Sequence, residues 1–306
     1  MTGPPVKVGV SVHTSVLVPD PAARRRVLDL AHASGLDHVG VADHVSFRGG
    51  TGFDGLVAAT SVLSSHDRLP VLVGVYLLGL RHPLLTARQL ASLGQIAPGR
   101  LVLGVGVGGE DRSEISNSGV DPATRGRRLD ETLGLMRRLA TGEAVDHDGE
   151  FFRLRSASIQ PPPSPRVPLV IGGRGAVAVR RTARYGDGWL GIFCSARSFA
   201  RTRQDIAEAA EARGRDMPGW YGLHVWCGLD RDEGRARELL AREMEGLYRM
   251  PYERFRHVAP SGTPDRVAEW LSEFVGSAEH LTLIPAASSP EAGIEYAAEV
   301  RALLDS

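Results

Sequence analysis

The chain is short of several things, and each shortage closes off a class of function. It has 36 basic side chains, of which Lys7 is the sole lysine. A phosphate loop of the G-x-x-x-x-G-K-[ST] kind is excluded, because no lysine stands where that loop needs one. The two cysteines, Cys194 and Cys227, lie far apart and in no C-x-x-C pattern, which argues against a disulfide framework or a zinc knuckle. H-E-x-x-H is missing, as is an H-x-H pair on the first apolar run, so no metal site is expected. G-x-S-x-G is missing too, which removes the usual serine nucleophile elbow. Acidic residues also number 36 and leave no net charge, so no bulk field draws in nucleic acid or an anionic membrane. No apolar run nears the roughly 18 residues of a membrane span, and the start has no basic-then-apolar signal layout. On these absences the expectation is a soluble, cytoplasmic protein.

What is present is repetition. Eight apolar runs rich in Val, Leu and Ile recur: Val6 to His13, His38 to His44, Leu69 to Leu80, Arg100 to Val107, Pro168 to Gly173, Gly188 to Phe193, Tyr221 to Leu229 and His280 to Ala286. Helical patterns follow them, with Asp20 and Gly35 as end signals on the first and Pro83 opening another. Continuous apolar strands imply burial on both faces, as in a parallel sheet. Eight such repeats in 306 residues are the count for a closed TIM (β/α)8 barrel, expected as a single domain over residues 1–306. Two stretches interrupt the repeat. The first, between strands four and five, has a His147-Asp148-Gly149 turn that reads as an inserted hairpin. The second, Tyr248 to Gly262, is aromatic enough to form a packed cover.

A parallel barrel carries its chemistry at the C-terminal strand ends. Strand one delivers His13 there, as pocket lining, and strand two delivers Asp43-His44. Strand three passes through Val73, Gly74 and Val75. Strand four ends in "GVGVGGED", with Gly104, Gly106, Gly108 and Gly109, then Glu110 and Asp111. These glycines do not open directly into a helix, which is the wrong spacing for a dinucleotide fingerprint. Strand five runs straight into Gly172, Gly173, Arg174, Gly175 and Ala176. That is either a phosphate site at a helix start or an ordinary glycine turn. Strand six contributes Trp189, read as part of the substrate pocket. His44 is either an acid–base group working near neutral pH or a core histidine held by Asp43.

Taken together, "HVGVADH", "LRHPLLTARQLASL", "GRLVLGVGVGGE", "DHDGEFFRL", "VIGGRGAVAVRRTARYGDGWL" and "SGTPDRVAEWL" resemble the bacterial luciferase-like flavin and deazaflavin oxidoreductases, most closely their F420-dependent branch. The resemblance runs over nearly the whole chain. It implies a luciferase-like barrel whose strand ends carry F420 or, alternatively, FMN. A bulge in strand three, with a cis non-proline bond at Gly74–Val75, would support the ring's face. Gly106, Val107 and Gly108 would line the path of the cofactor tail, and Gly172 to Ala176 would hold its phosphate. Val107 stands where some relatives carry threonine. His44 would stabilise charge as hydride moves, and Glu110 would give or take a proton. The function so implied is hydride transfer between F420 and a small organic substrate. The rivals are an FMNH2-dependent monooxygenase served by a separate flavin reductase, and a barrel that binds flavin without turnover. A reductase partner, a homodimer and an actinobacterial source also go with the family.

Overall fold

The computed structural model describes residues 5–109 and 111–305. In chain order its strands are β1 (Lys7–Ser11), β2 (His38–Val41), β3 (Val71–Tyr76), β4 (Leu101–Val105), β5 (Val145–Asp148), β6 (Arg153–Ala157), β7 (Leu169–Gly172), β8 (Gly188–Ile192), β9 (Trp220–Leu229), β10 (Ser261–Gly262) and β11 (His280–Ala286). Strands β1, β2, β3, β4, β7, β8, β9 and β11 pair in that order, all parallel. The β11–β1 pairing closes the ring. This is the expected TIM barrel, and β5–β6 is the expected antiparallel hairpin inserted between its fourth and fifth strands.

The helices are α1 (Pro21–Ala33), α2 (Gly55–Ser65), α3 (Pro83–Ile96), α4 (Arg112–Asn117), α5 (Arg125–Leu139), α6 (Gly175–Tyr185), α7 (Ala196–Glu211), α8 (Glu233–Tyr248), α9 (Pro264–Ser272) and α10 (Pro290–Leu304). Asp20 caps α1 as expected, accepting from Ala22 N at 2.9 Å. Two helices have no counterpart in the apolar pattern. Asp54 starts α2 by accepting from Leu56 N and Val57 N. Asp111 starts α4 inside a stretch too polar to read as anything but loop.

The barrel wall sorts side chains by the two-residue period of a strand. Val8, Val10, Val39, Val41, Val71, Val73, Leu101, Leu103, Leu169, Ile171, Trp189, Leu223, Leu281 and Leu283 pack outward in the large core shared with the helices. The alternate residues turn inward. Leu72, Val170 and Leu190, with Val75, Val102 and Trp220, fill one side of the interior. The other side is filled by imidazoles. Gly9 lies opposite His38 and Thr282 in register, and Thr282 lies opposite His224. His38 Nε2 is 2.7 Å from Thr282 Oγ1, while His280 stacks on Trp220 at 4.4 Å. A Cβ at Gly9 would fall 2.5 Å from the His38 ring, and one at Gly74 would fall 2.6 Å from His224. Glycine in the facing strand is what lets each ring in.

Burial pushes His38 down to about 3 and both His224 and His280 down to about 4, so all three are neutral in the folded protein. In the unfolded chain they protonate near 6.5. Their contribution to stability is therefore complete above about pH 6.5 and is lost as the pH falls toward 4. Urea unfolding should give a protein weaker by roughly 3–5 kcal/mol at pH 5 than at pH 7. A stability that stays level across that interval would contradict neutral burial.

Candidate active site

β3 is interrupted where it reaches the barrel mouth. Val73 pairs with Leu103 but Tyr76 pairs with Val105, so β3 carries one extra residue there, and the Gly74–Val75 bond inside the bulge is cis. The bulge turns Val75 across the mouth. A Cβ on Gly106 would lie 2.6 Å from Val75 Cγ2, and one on Gly172 would lie 2.8 Å from Val75 Cγ1. Real carbon atoms do not approach so closely, so Gly106 and Gly172 make room for the valine. At Gly109 and Gly175, by contrast, an added Cβ would meet nothing within 4 Å. The inner glycines seat a ledge, and the outer ones leave open space beyond it.

Behind the ledge lies a fully engaged carboxylate. Asp43 is 2 % exposed and accepts from Gly55 N at 2.8 Å, Leu77 N at 2.8 Å and both terminal nitrogens of Arg81 at 2.7 and 2.8 Å. Burial raises the Asp43 carboxyl above its ordinary range, against the pull of Arg81 and the two backbone donors. Arg81 also reaches Asp54 Oδ2 at 3.0 Å and lies over the Tyr76 ring at 4.1 Å. The ends of β2 and β3 and the start of α2 are tied together at this one point.

The next residue faces the other way. His44 turns into the mouth, 4.3 Å from the Phe47 ring, and its Nδ1 lies 3.3 Å from both oxygens of Glu114 on α4. Glu114 is 3 % exposed and also accepts from Val45 N at 2.7 Å and Ser46 N at 3.1 Å. With Nδ1–H donated to the carboxylate, Nε2 keeps its lone pair as a proton acceptor.

These parts border one cleft of about 1170 Å³, its open mouth included. His44, Phe47, Gly74, Val75, Gly106, Val107 and Gly108 lie along one side, with Gly172, Gly173 and Arg174 at one end. Leu190, Ile192, Phe193, His224, Leu247 and Tyr248 complete it. Arg174 heads α6, and no side chain caps that helix. Its first backbone N–H groups are thus available to an anion, with the helix dipole favouring negative charge.

A family model described as luciferase-like monooxygenase matches residues 5–280. The chain belongs to that family. It is 35% identical over 200 residues to the F420-dependent glucose-6-phosphate dehydrogenase of Mycolicibacterium fortuitum, covering 61% of this chain and 58% of that one. It is also 35% identical over 179 residues to the F420-dependent glucose-6-phosphate dehydrogenase of Mycobacterium tuberculosis (strain ATCC 25618 / H37Rv), covering 55% and 53%. The matches thus span little more than half of these curated relatives. An F420-dependent secondary alcohol dehydrogenase solved with an F420-acetone adduct superposes with a TM-score of 0.83 at 20% identity, covering 98% of this chain and 99% of that one. The monooxygenase RslO1 from Streptomyces bottropensis gives 0.78 at 22%, covering 97% of each chain. Both show the shared fold.

Within this luciferase-like barrel the residues singled out from sequence divide cleanly. His44, Gly74, Val75, Gly106, Val107, Gly108, Gly172, Gly173 and Arg174 border the cleft. Asp43 borders it too, but its oxygens are held by protein donors. Gly175 and Ala176 form the exposed start of α6. Val73 and Trp189 share the outward parity and face helices, so neither reaches the cleft. Trp189 donates instead to Gly173 O at 2.9 Å. His13 lies beside the site, not among its lining residues. Its Nδ1 accepts from Ala42 N at 3.2 Å, and burial, then His44, lowers its pKa. Glu110 lies outside the described residues. Among the residues that escaped the sequence are Glu114, hidden in a polar stretch, His224, whose inward parity on β9 was the available signal, and the apolar lining at Phe193 and Leu247.

Replacing Glu114 with Ala leaves the Val45 and Ser46 amides without their acceptor. Hydrogen exchange at those two amides should accelerate by at least about tenfold, and stability should fall by about 1–3 kcal/mol. Unchanged exchange at both would show that Glu114 does not hold the loop.

Proposed function

We propose that this protein is an F420-dependent oxidoreductase that moves a hydride between the deazaflavin and a small organic substrate. One observation carries the reading: His44, the Val75 ledge and the uncapped start of α6 open onto a single cleft. The fit to a flat phosphorylated cofactor is visible in the wall. Val75 offers an apolar ledge for a ring, Gly108 and Gly109 leave backbone exposed beside it, and Arg174 with the first turn of α6 suits a phosphate. The choice of F420 over FMN is supported by the relatives at 35% identity, both named as F420-dependent.

When bound, the deazaflavin supplies a two-electron hydride acceptor or donor; the chain supplies position and proton handling. With the cofactor in place to take the hydride of a carbinol, His44 Nε2 would accept the hydroxyl proton, so that a carbonyl is the product. Glu114 positions the imidazole and balances the charge it gains. Glu110, next to the open Gly109, is proposed as a second proton group. Asp43 supports the cofactor face through the backbone it ties down. A flavin or F420 reductase as redox partner, a homodimer and a cytoplasmic location belong with this reading.

Parallel titration with oxidised F420 and with FMN tests it. F420 should bind saturably and FMN should not compete. His44→Ala should slow substrate-dependent F420 reduction by roughly 100-fold or more while leaving F420 affinity unchanged. Saturable FMN binding with no response to F420 would hand the cleft to the monooxygenase chemistry instead, and binding of neither would leave a barrel without turnover.

A further inference from the structure

The wall facing the Val75 ledge differs in character from the rest of the mouth. Phe193, at the end of β8, and Leu247 and Tyr248, at the end of α8, line it. The Phe193 ring centre is 5.4 Å from that of Tyr248 and 5.1 Å from that of Phe255, and Tyr248 and Phe255 are 5.3 Å apart. Trp226 Nε1 donates to Tyr248 Oη at 3.0 Å. Leu240, Met244, Tyr252, Phe255, Ala259 and Ala286 are buried behind these rings as a small core separate from that of the barrel. The aromatic excursion between β9 and β11 packs through Tyr252, whose hydroxyl donates to Ala259 O at 2.9 Å and whose N–H donates to Glu245. Phe193 itself is held at a φ of 52°. The wall is a braced apolar surface.

Charge on the lining is as telling. Among the described residues, Arg174 is the one arginine or lysine that borders the cleft, and it stands at the α6 end that suits the cofactor phosphate. Asp43 is matched by Arg81. Arg48, nearby, lies over Phe47 at 5.2 Å with its Nη1 buried, and it is not part of the lining. A substrate phosphate would therefore enter without a counter-charge from the lining, and an unpaired ion is costly to take out of water. A polyol fares little better, because few polar side chains face the wall and each unpaired buried hydroxyl is unfavourable.

We infer that the substrate is an uncharged, largely apolar alcohol or ketone, carried on a ring or a short hydrocarbon skeleton and seated between the Val75 ledge and the Phe193–Tyr248 wall, and not a phosphorylated sugar. The inference rests on the hydride-transfer reading for its chemistry but on the wall alone for its binding. Binding is therefore the readout. Saturation-transfer NMR with cyclohexanone and with glucose 6-phosphate should show saturable cyclohexanone binding and none for the sugar phosphate. Phe193→Ala should weaken cyclohexanone by about tenfold, the loss expected for removing one buried aromatic face, while F420 affinity stays the same. If Phe193→Ala does not fold, Leu247→Gln at the half-buried helix end carries the same comparison. Tighter binding of glucose 6-phosphate than of cyclohexanone, or a folded Phe193→Ala protein that binds cyclohexanone as before, would overturn the assignment. Cyclohexanone binding in a protein that ignores F420 would uphold the apolar chamber and remove the cofactor reading alone.

Discussion

The site depends on one close approach: Val75 laid across the barrel mouth in a space that the facing strands have emptied. An extra residue in β3 turns the valine there, and Gly106, just past β4, and Gly172, at the end of β7, receive it. Interiors pack near crystal density, so a side chain moved into such a gap stays where its neighbours hold it. The ledge thereby becomes part of the wall, rigid before any ligand arrives. Everything else at the mouth is arranged around its edge, with His44 on one side, the start of α6 on another and the aromatic wall opposite.

Two buried carboxylates hold that arrangement from behind. Asp43 gathers the ends of β2, β3 and α2 through Arg81 and two backbone amides. Glu114 gathers the loop after β2 and aims His44. Neither offers spare capacity to a ligand, so both act through geometry. Below them His38, His224 and His280 share the barrel interior with the apolar side chains. Neutral histidines fill space that leucine fills on the other side, and His224 brings a nitrogen with no protein partner, among the described residues, to the floor of the cleft. The interior stays packed only while those rings stay uncharged.

Much of this was legible in the sequence. Eight continuous apolar runs announced the barrel, and a strand running into Gly172, Gly173 and Arg174 announced the start of a helix, which is α6. The adjacent Asp43 and His44 were read at a strand end, and both border the cleft. What pattern could not separate was which side of the wall a residue occupies. Parity along each strand removes Trp189 and Val73 from the pocket and adds His224, while past the end of β2 Asp43 is taken up by protein donors and His44 turns into the mouth. Gly106, just past β4, was read as room for a cofactor; it borders the cleft and also makes room for Val75, because a bulge in another strand decides what stands opposite it. Glu114 lay in a run of polar residues whose short helix has no apolar period to betray it. Long-range contact, and not local propensity, set each of these.

The central claim is that the Val75 ledge and the start of α6 together receive one flat, phosphorylated redox cofactor. A crystal structure of the protein with oxidised F420 tests it most directly. The ring should lie in van der Waals contact with Val75, about 4 Å from its methyl carbons, with the phosphate against the backbone of Gly175 and Ala176 and beside Arg174. A ring stacked on the Phe193–Tyr248 wall with its phosphate away from α6, or density at some other face of the barrel, would contradict the account.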